Sequence, residues 1–314
     1  MPRVGQSTKD IAEFMDRFRN LSFTGQPRAS RALTRNGFKL SLRPARGSIQ
    51  AIVDSTPLSE AEMRFVRSVI AEACVDLSTY RLTPFRRRLA ACLRALRVPT
   101  IEAAEGLLAQ HPSLRLLALD ALLIGVTKFF RDSDVFDQLR RRWLPQMLDA
   151  CREPRVWSVG ASDGAELYSV ASLLAERGAL GLSQLRGSDC RAAAIDLARR
   201  ARYSAASLSD VPDDLRSSCF RPDGGAMVPS EMLACANIEW RVEDALACQE
   251  KAAWDLILCR NMAIYLESSS QVKLWSVLTA ALKPGGIMVV GKAERPNVGG
   301  LRRVGCCTYL KDRD

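Results

Sequence analysis

Apolar positions along the chain follow two different periods. Between residues 58 and 123 they recur at helical spacing. Phe65, Val66, Val69, Ile70 and Ala73 follow Ser59-Glu60-Ala61-Glu62. That tetrapeptide is a capping box, in which the serine and the glutamate three residues later each satisfy a free amide. A second helix is expected from near Pro84, a residue tolerated in a first turn, with the stripe Phe85, Leu89, Cys92, Leu93 and Leu96. Residues 101–109 and 114–123 add two more helical stretches. From Arg155 the period changes. Short apolar runs at 155–159, 184–188, 238–242, 255–259 and 287–290 alternate with helical patterns at 166–176, 191–202 and 269–282. Such alternation predicts a doubly wound parallel sheet. The stretch 203–236 holds Pro212, Pro222, Asp223-Gly224-Gly225 and Pro229, breaks the rhythm, and reads as an insertion. The expected fold class is therefore α/β: a Rossmann-like sheet domain over 138–314, a small all-helical domain before it over 57–137, and a small β-rich insertion.

Residues 1–56 carry no sustained period beyond a short helical stretch at 11–18. They hold ten Lys and Arg against four Asp and Glu, and read as a basic, largely disordered leader. A length of 314 residues suggests about two domains. Across the chain, 45 Lys and Arg against 35 Asp and Glu leave a net charge of +10, which favours an acidic partner. Much of this charge is gathered in one run: six arginines and no acid stand from Tyr80 to Arg97, with Arg86, Arg87, Arg88, Arg94 and Arg97 on one face of the predicted helix and Arg81 before it. No aromatic residues interleave with them, which argues against single-stranded nucleic acid.

A single histidine excludes a His-rich zinc site, and no metal is expected. Its setting, Gln110-His111-Pro112-Ser113, reads as a helix-ending turn. The ten cysteines form no C-x-x-C pair and sit mostly among apolar neighbours, as reduced core residues do. The first residues do not lead into a signal-peptide core. The most apolar stretch, 114–126, is broken by Arg115 and Asp120 and does not span a membrane. A cytoplasmic protein without membrane insertion is the expectation.

Ligands of open parallel sheets bind past the carboxyl ends of the strands. The first strand is followed by Gly160-Ala161-Ser162-Asp163-Gly164-Ala165-Glu166, the second ends on Ser188-Asp189, the third leads into Glu243-Asp244-Ala245, and the fourth into Cys259-Arg260-Asn261. Asp189 has the place and spacing of an acid that accepts bonds from ribose hydroxyls. Neither G-x-G-x-x-G nor a phosphate loop is present. Together the strand ends describe a nucleoside pocket not shaped for a pyrophosphate, which points to S-adenosylmethionine (SAM) more than to NAD.

These residues carry a family resemblance. Leu123-Ile124-Gly125-Val126-Thr127-Lys128-Phe129-Phe130-Arg131 resembles the N-x-T-x-F-F-R stretch of the chemotaxis-receptor glutamate methyltransferases, the CheR type. The run from Trp157 to Ser169 resembles their A-S-T-G-E-E-P-Y-S loop, and Ser188-Asp189 their A-S-D ribose site. The run from Trp254 to Tyr265 resembles F-D-x-I-x-C-R-N-x-x-I-Y, and Leu282-Lys283-Pro284-Gly285-Gly286 matches an L-K-P-x-G turn. The resemblance implies a SAM-methyltransferase sheet and assigns roles by position. Thr127 and Arg131 would line the SAM pocket near the methyl group, Glu166 would hold the methionine amine and Asp189 the ribose. Asp244-Ala245 would face the adenine, and Cys259, Arg260 and Asn261 would close the pocket. Tyr265 and Arg131 would orient the incoming carboxylate, and the arginine face, with Arg87, Arg94 and Arg97, would dock an acidic receptor helix bundle. The insertion lies where the family has a small β-subdomain that can dock a receptor tail. A monomer is expected.

The chain departs from the family pattern at Gly125, Asp163, Ala165, Leu167 and Lys292. Two other readings stay open at this level. One is a methyltransferase acting on RNA or a small molecule, although Asn261-Met262-Ala263-Ile264 stands where amino-methylating enzymes commonly carry N/D-P-P-Y. The other is a methyltransferase-like binding module that has lost catalysis.

Overall fold

The computed structural model describes residues 57–73, 75–123 and 127–313. The expected leader, its helix at 11–18, Cys74 and Gly125 lie outside the described residues.

The first element among the described residues is helix α1 (Glu60–Ile70), and both halves of its capping box form. Ser59 N donates to Glu62 Oε2 at 2.8 Å, and Glu62 N donates to Ser59 Oγ at 3.2 Å. Helices α2 (Leu82–Leu96), α3 (Ile101–Gln110) and α4 (Arg115–Leu122) follow. His111 ends α3 through its N–H, as its Pro-flanked setting predicts. The apolar stripes of these helices meet in one core of Phe65, Val69, Phe85, Leu89, Cys92, Leu119 and Leu122.

A nearly continuous helical run comes next: α5 (Ser133–Gln138), a π turn (Leu139–Trp143) and α6 (Leu144–Ala150). The expected domain boundary, between residues 137 and 138, falls inside this run. Its buried residues, Phe136, Leu139, Trp143 and Leu144, belong to the core of the sheet that follows.

The sheet is built from β1 (Arg155–Val159), α7 (Ala165–Glu176), β2 (Gln184–Asp189) and α8 (Ala192–Arg200), then the insertion. After it come β5 (Asn237–Val242), β6 (Trp254–Cys259), α11 (Ser268–Ala281), β7 (Leu282–Val290), β8 (Leu301–Arg303) and β9 (Thr308–Lys311). The insertion contains α9 (Asp213–Cys219), the hairpin β3 (Phe220–Asp223) and β4 (Ala226–Pro229), and α10 (Glu231–Ala234). Seven strands lie in the order β5-β2-β1-β6-β7-β9-β8. The first five are parallel, and β9 and β8 close one edge antiparallel. β1 lies at the switch point between β2 and β6, where a doubly wound sheet opens its ligand crevice. The pairing of β6 with β7 jumps from Leu282 to Ile287, so the L-K-P-G-G turn sits inside β7.

Gly164 illustrates why the turn before α7 needs glycine. Its φ is +88°, and a Cβ there would lie 2.8 Å from the Trp240 ring. Asp163, a departure from the family pattern, accepts the N–H of Ala165 at 3.2 Å, so its charge stabilises the helix start.

Candidate functional site

A cleft enclosing about 1150 Å³, its open mouth included, opens past the carboxyl ends of β1, β2, β5 and β6. Glu166, in the first turn of α7, forms part of its floor. Glu166 Oε1 accepts the Ser158 hydroxyl at 2.8 Å, and Oε2 takes Arg260 Nη1 at 3.2 Å. Burial raises the pKa of its carboxyl, while Arg260 and Ser158 act in the opposite direction.

Arg260 follows β6 and is a buried pin, its side chain 1% exposed. Its Nη2 donates to the carbonyl of Arg131 at 2.6 Å and to Asp132 Oδ2 at 2.8 Å. The F-F-R segment is thereby tied to the sheet. It is also held by Phe130 N, which donates to Ser169 Oγ at 3.0 Å, and by Phe129, packed edge-on against Tyr203 and Phe220 of the insertion. Phe130 and Asp132 both have left-handed backbones, with φ of 49° and 58°. Such strain around Arg131 persists only because these contacts over-determine the loop.

Asp189 ends β2. Ser162 N and Arg191 N each donate to its carboxylate at 3.0 Å, and the Arg191 guanidinium grips it as a fork, Nε to Oδ1 at 3.0 Å and Nη2 to Oδ2 at 3.2 Å. Arg191 also reaches Asp120 on α4 at 3.1 Å. Glu243 and Asp244 follow β5, and Asp244 caps a short 3-10 turn by accepting Leu246 N at 2.9 Å.

The loop after β6 is shaped by Glu294. Its buried carboxylate accepts four main-chain N–H groups, those of Asn261 (2.9 Å), Met262 (2.9 Å), Ala263 (2.8 Å) and Gly291 (2.7 Å). A Cβ on Gly291 would meet Glu294 Oε2 at 2.7 Å and Asn261 N at 2.9 Å, so only glycine allows this approach. Tyr265 lies farther along the same loop and is joined to the helical region. Arg81 N donates to its carbonyl at 2.8 Å, Glu267 N donates to the Thr79 carbonyl at 2.8 Å, and Tyr80 pairs with Leu266 in an antiparallel bridge. Segment 79–81 is therefore a roof over one side of the cleft. Burial raises the phenol pKa of Tyr265, with Arg131 and Arg88 opposing.

Thr127, Arg131, Glu166, Asp189, Asp244, Ala245, Arg260, Asn261 and Tyr265 all line this one cleft. Cys259 is not among the lining residues. It ends β6 fully buried, and burial beside Glu294 and Glu166 holds its thiol pKa well above the ordinary value. Arg87 and Arg94 are exposed on α2 and Arg97 at its C-cap; Arg86 and Arg88 donate to the carbonyls of Pro57 and Ala121. Lys292, another departure, pairs with Asp134 at 2.7 Å. Sequence reasoning missed Arg191, Glu294 and Tyr80. The terminal acid of Gly291-Lys292-Ala293-Glu294 was the one visible signal for Glu294, and nothing local marks the other two.

The residues present fit a nucleoside with a charged amino-acid tail. Among the described residues, the buried side-chain atoms without a hydrogen-bond partner include Arg260 Nε, Asn261 Oδ1 and Glu243 Oε1, all on residues lining the cleft. Unpaired buried polar atoms are costly and call for a partner. Glu166 retains an acceptor position on each oxygen for an ammonium group.

Residues 125–302 match the family described as CheR methyltransferase, SAM binding domain. The chain is 32% identical over 221 residues to chemotaxis protein methyltransferase 2 of Pseudomonas aeruginosa, covering 66% of this chain and 76% of that one. It is 26% identical over 245 residues to a chemotaxis protein methyltransferase of Listeria innocua, covering 76% and 91%. It is also 26% identical over 250 residues to chemotaxis protein methyltransferase 1 of Vibrio cholerae, covering 76% and 90%.

Proposed function

Because the chain belongs to the CheR methyltransferase family and is a SAM-dependent methyltransferase, we propose that it esterifies glutamate side chains on the acidic, helical cytoplasmic region of a chemoreceptor-like protein. The observation that carries this reading is the convergence of Arg131 and Tyr265 on the cleft that holds Glu166 and Asp189. Bound SAM supplies an electrophilic methyl group on a sulfonium. A glutamate carboxylate, with a reference pKa of about 4.3, is already ionised at neutral pH and needs no general base. Arg131 aims it with a fork of donors. Tyr265, a phenol that is neutral at neutral pH and whose pKa burial raises further, donates a hydrogen bond to the same group. Glu166 holds the amine of the cofactor, Asp189 the ribose, and Asp244-Ala245 borders the adenine. The roof at 79–81 limits water. Catalysis on this reading is positioning and water exclusion.

The receptor docks on the exposed face of α2. Arg87 and Arg94 are seven residues apart, two helical turns, and Arg97 lies one turn farther on. The hairpin of the insertion offers a poor edge for a further strand. Met227 exchanges two hydrogen bonds with Tyr203 on its outer side, so its cross-strand partner Pro222 faces outward from β3. Proline has no N–H to give an added strand, and Phe220 N is already bonded to the carbonyl of Arg216. Recognition therefore rests on charge along α2. Reversing Arg87, Arg94 and Arg97 together to Glu is expected to raise the KM for receptor fragments by about tenfold or more at low salt, with the difference shrinking as salt rises. SAM affinity, read by calorimetry, stays unchanged. A KM insensitive to the triple change would remove α2 as the docking face.

The reaction itself is tested with radiolabelled SAM and receptor cytoplasmic fragments. Mild alkali should release the label as methanol, because methyl esters hydrolyse where N-methyl groups do not. Label that survives alkali points to amino methylation instead.

A further inference from the structure

The two acids of the cleft floor differ in how their acceptor positions are filled. A carboxylate offers about four. Glu166 has one donor on each oxygen and one position free on each. On Asp189 four N–H donors take all four, Oδ1 by Arg191 N and Nε and Oδ2 by Ser162 N and Arg191 Nη2, and the Cys190 thiol adds a weak contact to Oδ1 at 3.8 Å. Two of the four donors are main-chain groups fixed by the loops. The other two belong to one side chain, that of Arg191, which is 7% exposed. The same guanidinium already touches a second carboxylate, Asp120 of α4, through Nη1.

A ribose diol brings two O–H donors and needs two acceptor positions on its carboxylate. We propose that Arg191 competes with the cofactor's ribose for Asp189, and that ribose binding turns the Arg191 fork onto Asp120. The inference rests on the reading that Asp189 holds the ribose. Arg191 then sets cofactor affinity below what the remaining cleft allows. Cofactor binding in turn strengthens the link between α4 and the sheet, because the guanidinium bonds surrendered by Asp189 are remade to a residue of the helical region. A purely structural role for Arg191 gives the opposite sign, since removing a buried partner loosens the loop that carries Asp189.

The test is calorimetric titration of the full chain with SAM and, separately, with S-adenosylhomocysteine. Arg191→Met removes both carboxylate contacts and should bind SAM roughly tenfold more tightly, the worth of charge-assisted hydrogen bonds no longer displaced. Arg191→Lys, which has one donor head in place of the fork, should fall between wild type and the methionine variant. Asp120→Asn weakens the fork's second seat and should lower affinity several-fold, an effect that vanishes when combined with Arg191→Met. Equal or weaker binding by both Arg191 variants, with native unfolding midpoints, overturns the proposal. If the methionine variant does not fold, the lysine variant decides alone. Asp189→Asn separates the two layers. Unchanged SAM affinity in that variant overturns the ribose assignment and the competition with it, whereas weakened affinity alongside Arg191 variants that fail to tighten overturns the competition alone.

Discussion

Arg131→Ala should lower methyl transfer to receptor glutamates by about 10³-fold or more while the fold persists. The structural part of this expectation comes from how residue 131 is held. Arg260 bonds to its carbonyl oxygen, Phe130 N to Ser169 Oγ, and Phe129 is buried against Tyr203 and Phe220. Every one of these contacts survives truncation of the Arg131 side chain. The functional part comes from geometry at the carboxylate: a guanidinium presents two parallel donors, and alanine presents none. Arg131→Lys keeps the charge without the fork and should recover only a fraction of the rate. Initial rates with labelled SAM, beside circular dichroism and thermal unfolding, separate chemistry from folding. Label transfer at the wild-type rate in a folded alanine variant would remove Arg131 from the reaction.

The second large effect is structural. Glu294→Ala withdraws the acceptor of four main-chain donors, three in the loop that carries Asn261 and leads to Tyr265 and the fourth at Gly291, just past β7. Each buried donor left unsatisfied costs about 1–3 kcal/mol, and water entering from the cleft relieves only some of them, so a loss of about 3 kcal/mol or more is expected. Glu294→Gln keeps one oxygen but turns an NH2 group toward donor N–H groups, and should recover only part of that loss. Urea unfolding measures both variants, and a midpoint shift worth less than about 1 kcal/mol for the alanine variant would show that the loop does not depend on this carboxylate. SAM affinity should fall with stability, because Arg260 and Asn261 lie at the start of the same loop.

Much of this architecture is legible in the sequence. The strands at 155–159, 184–188, 238–242, 255–259 and 287–290 all form within a residue or a few of their expected bounds, β7 being extended backwards by its internal turn. Alternating apolar runs and helical stripes are local signals, each written within about a dozen residues. The acids and polar groups at the strand ends were equally visible, because a parallel sheet delivers every such residue to one edge. Helices α5 and α6 were missed: the π turn and the consecutive arginines at 140–142 interrupt the period there. The antiparallel strands β8 and β9 were missed as well, being three and four residues long and too short to display one.

Periodicity along the chain fixes element type, and with it the strand ends that border the cleft, but not every residue that lines it: Cys259 turns away, and Arg191 and Tyr80 enter unannounced. What the lining residues do to one another emerges with the folded chain. Arg191 finds Asp120 from 71 positions away, Arg260 finds Asp132 from 128, and Glu294 gathers the amides of 261–263 from more than 30. The roof at 79–81 meets 265–267 across the length of the sheet domain's sequence. Each is a contact between single residues, with no repeat along the chain to announce it. Each forms because burying a charge or an amide in the crevice demands a partner, and folding brings that partner near.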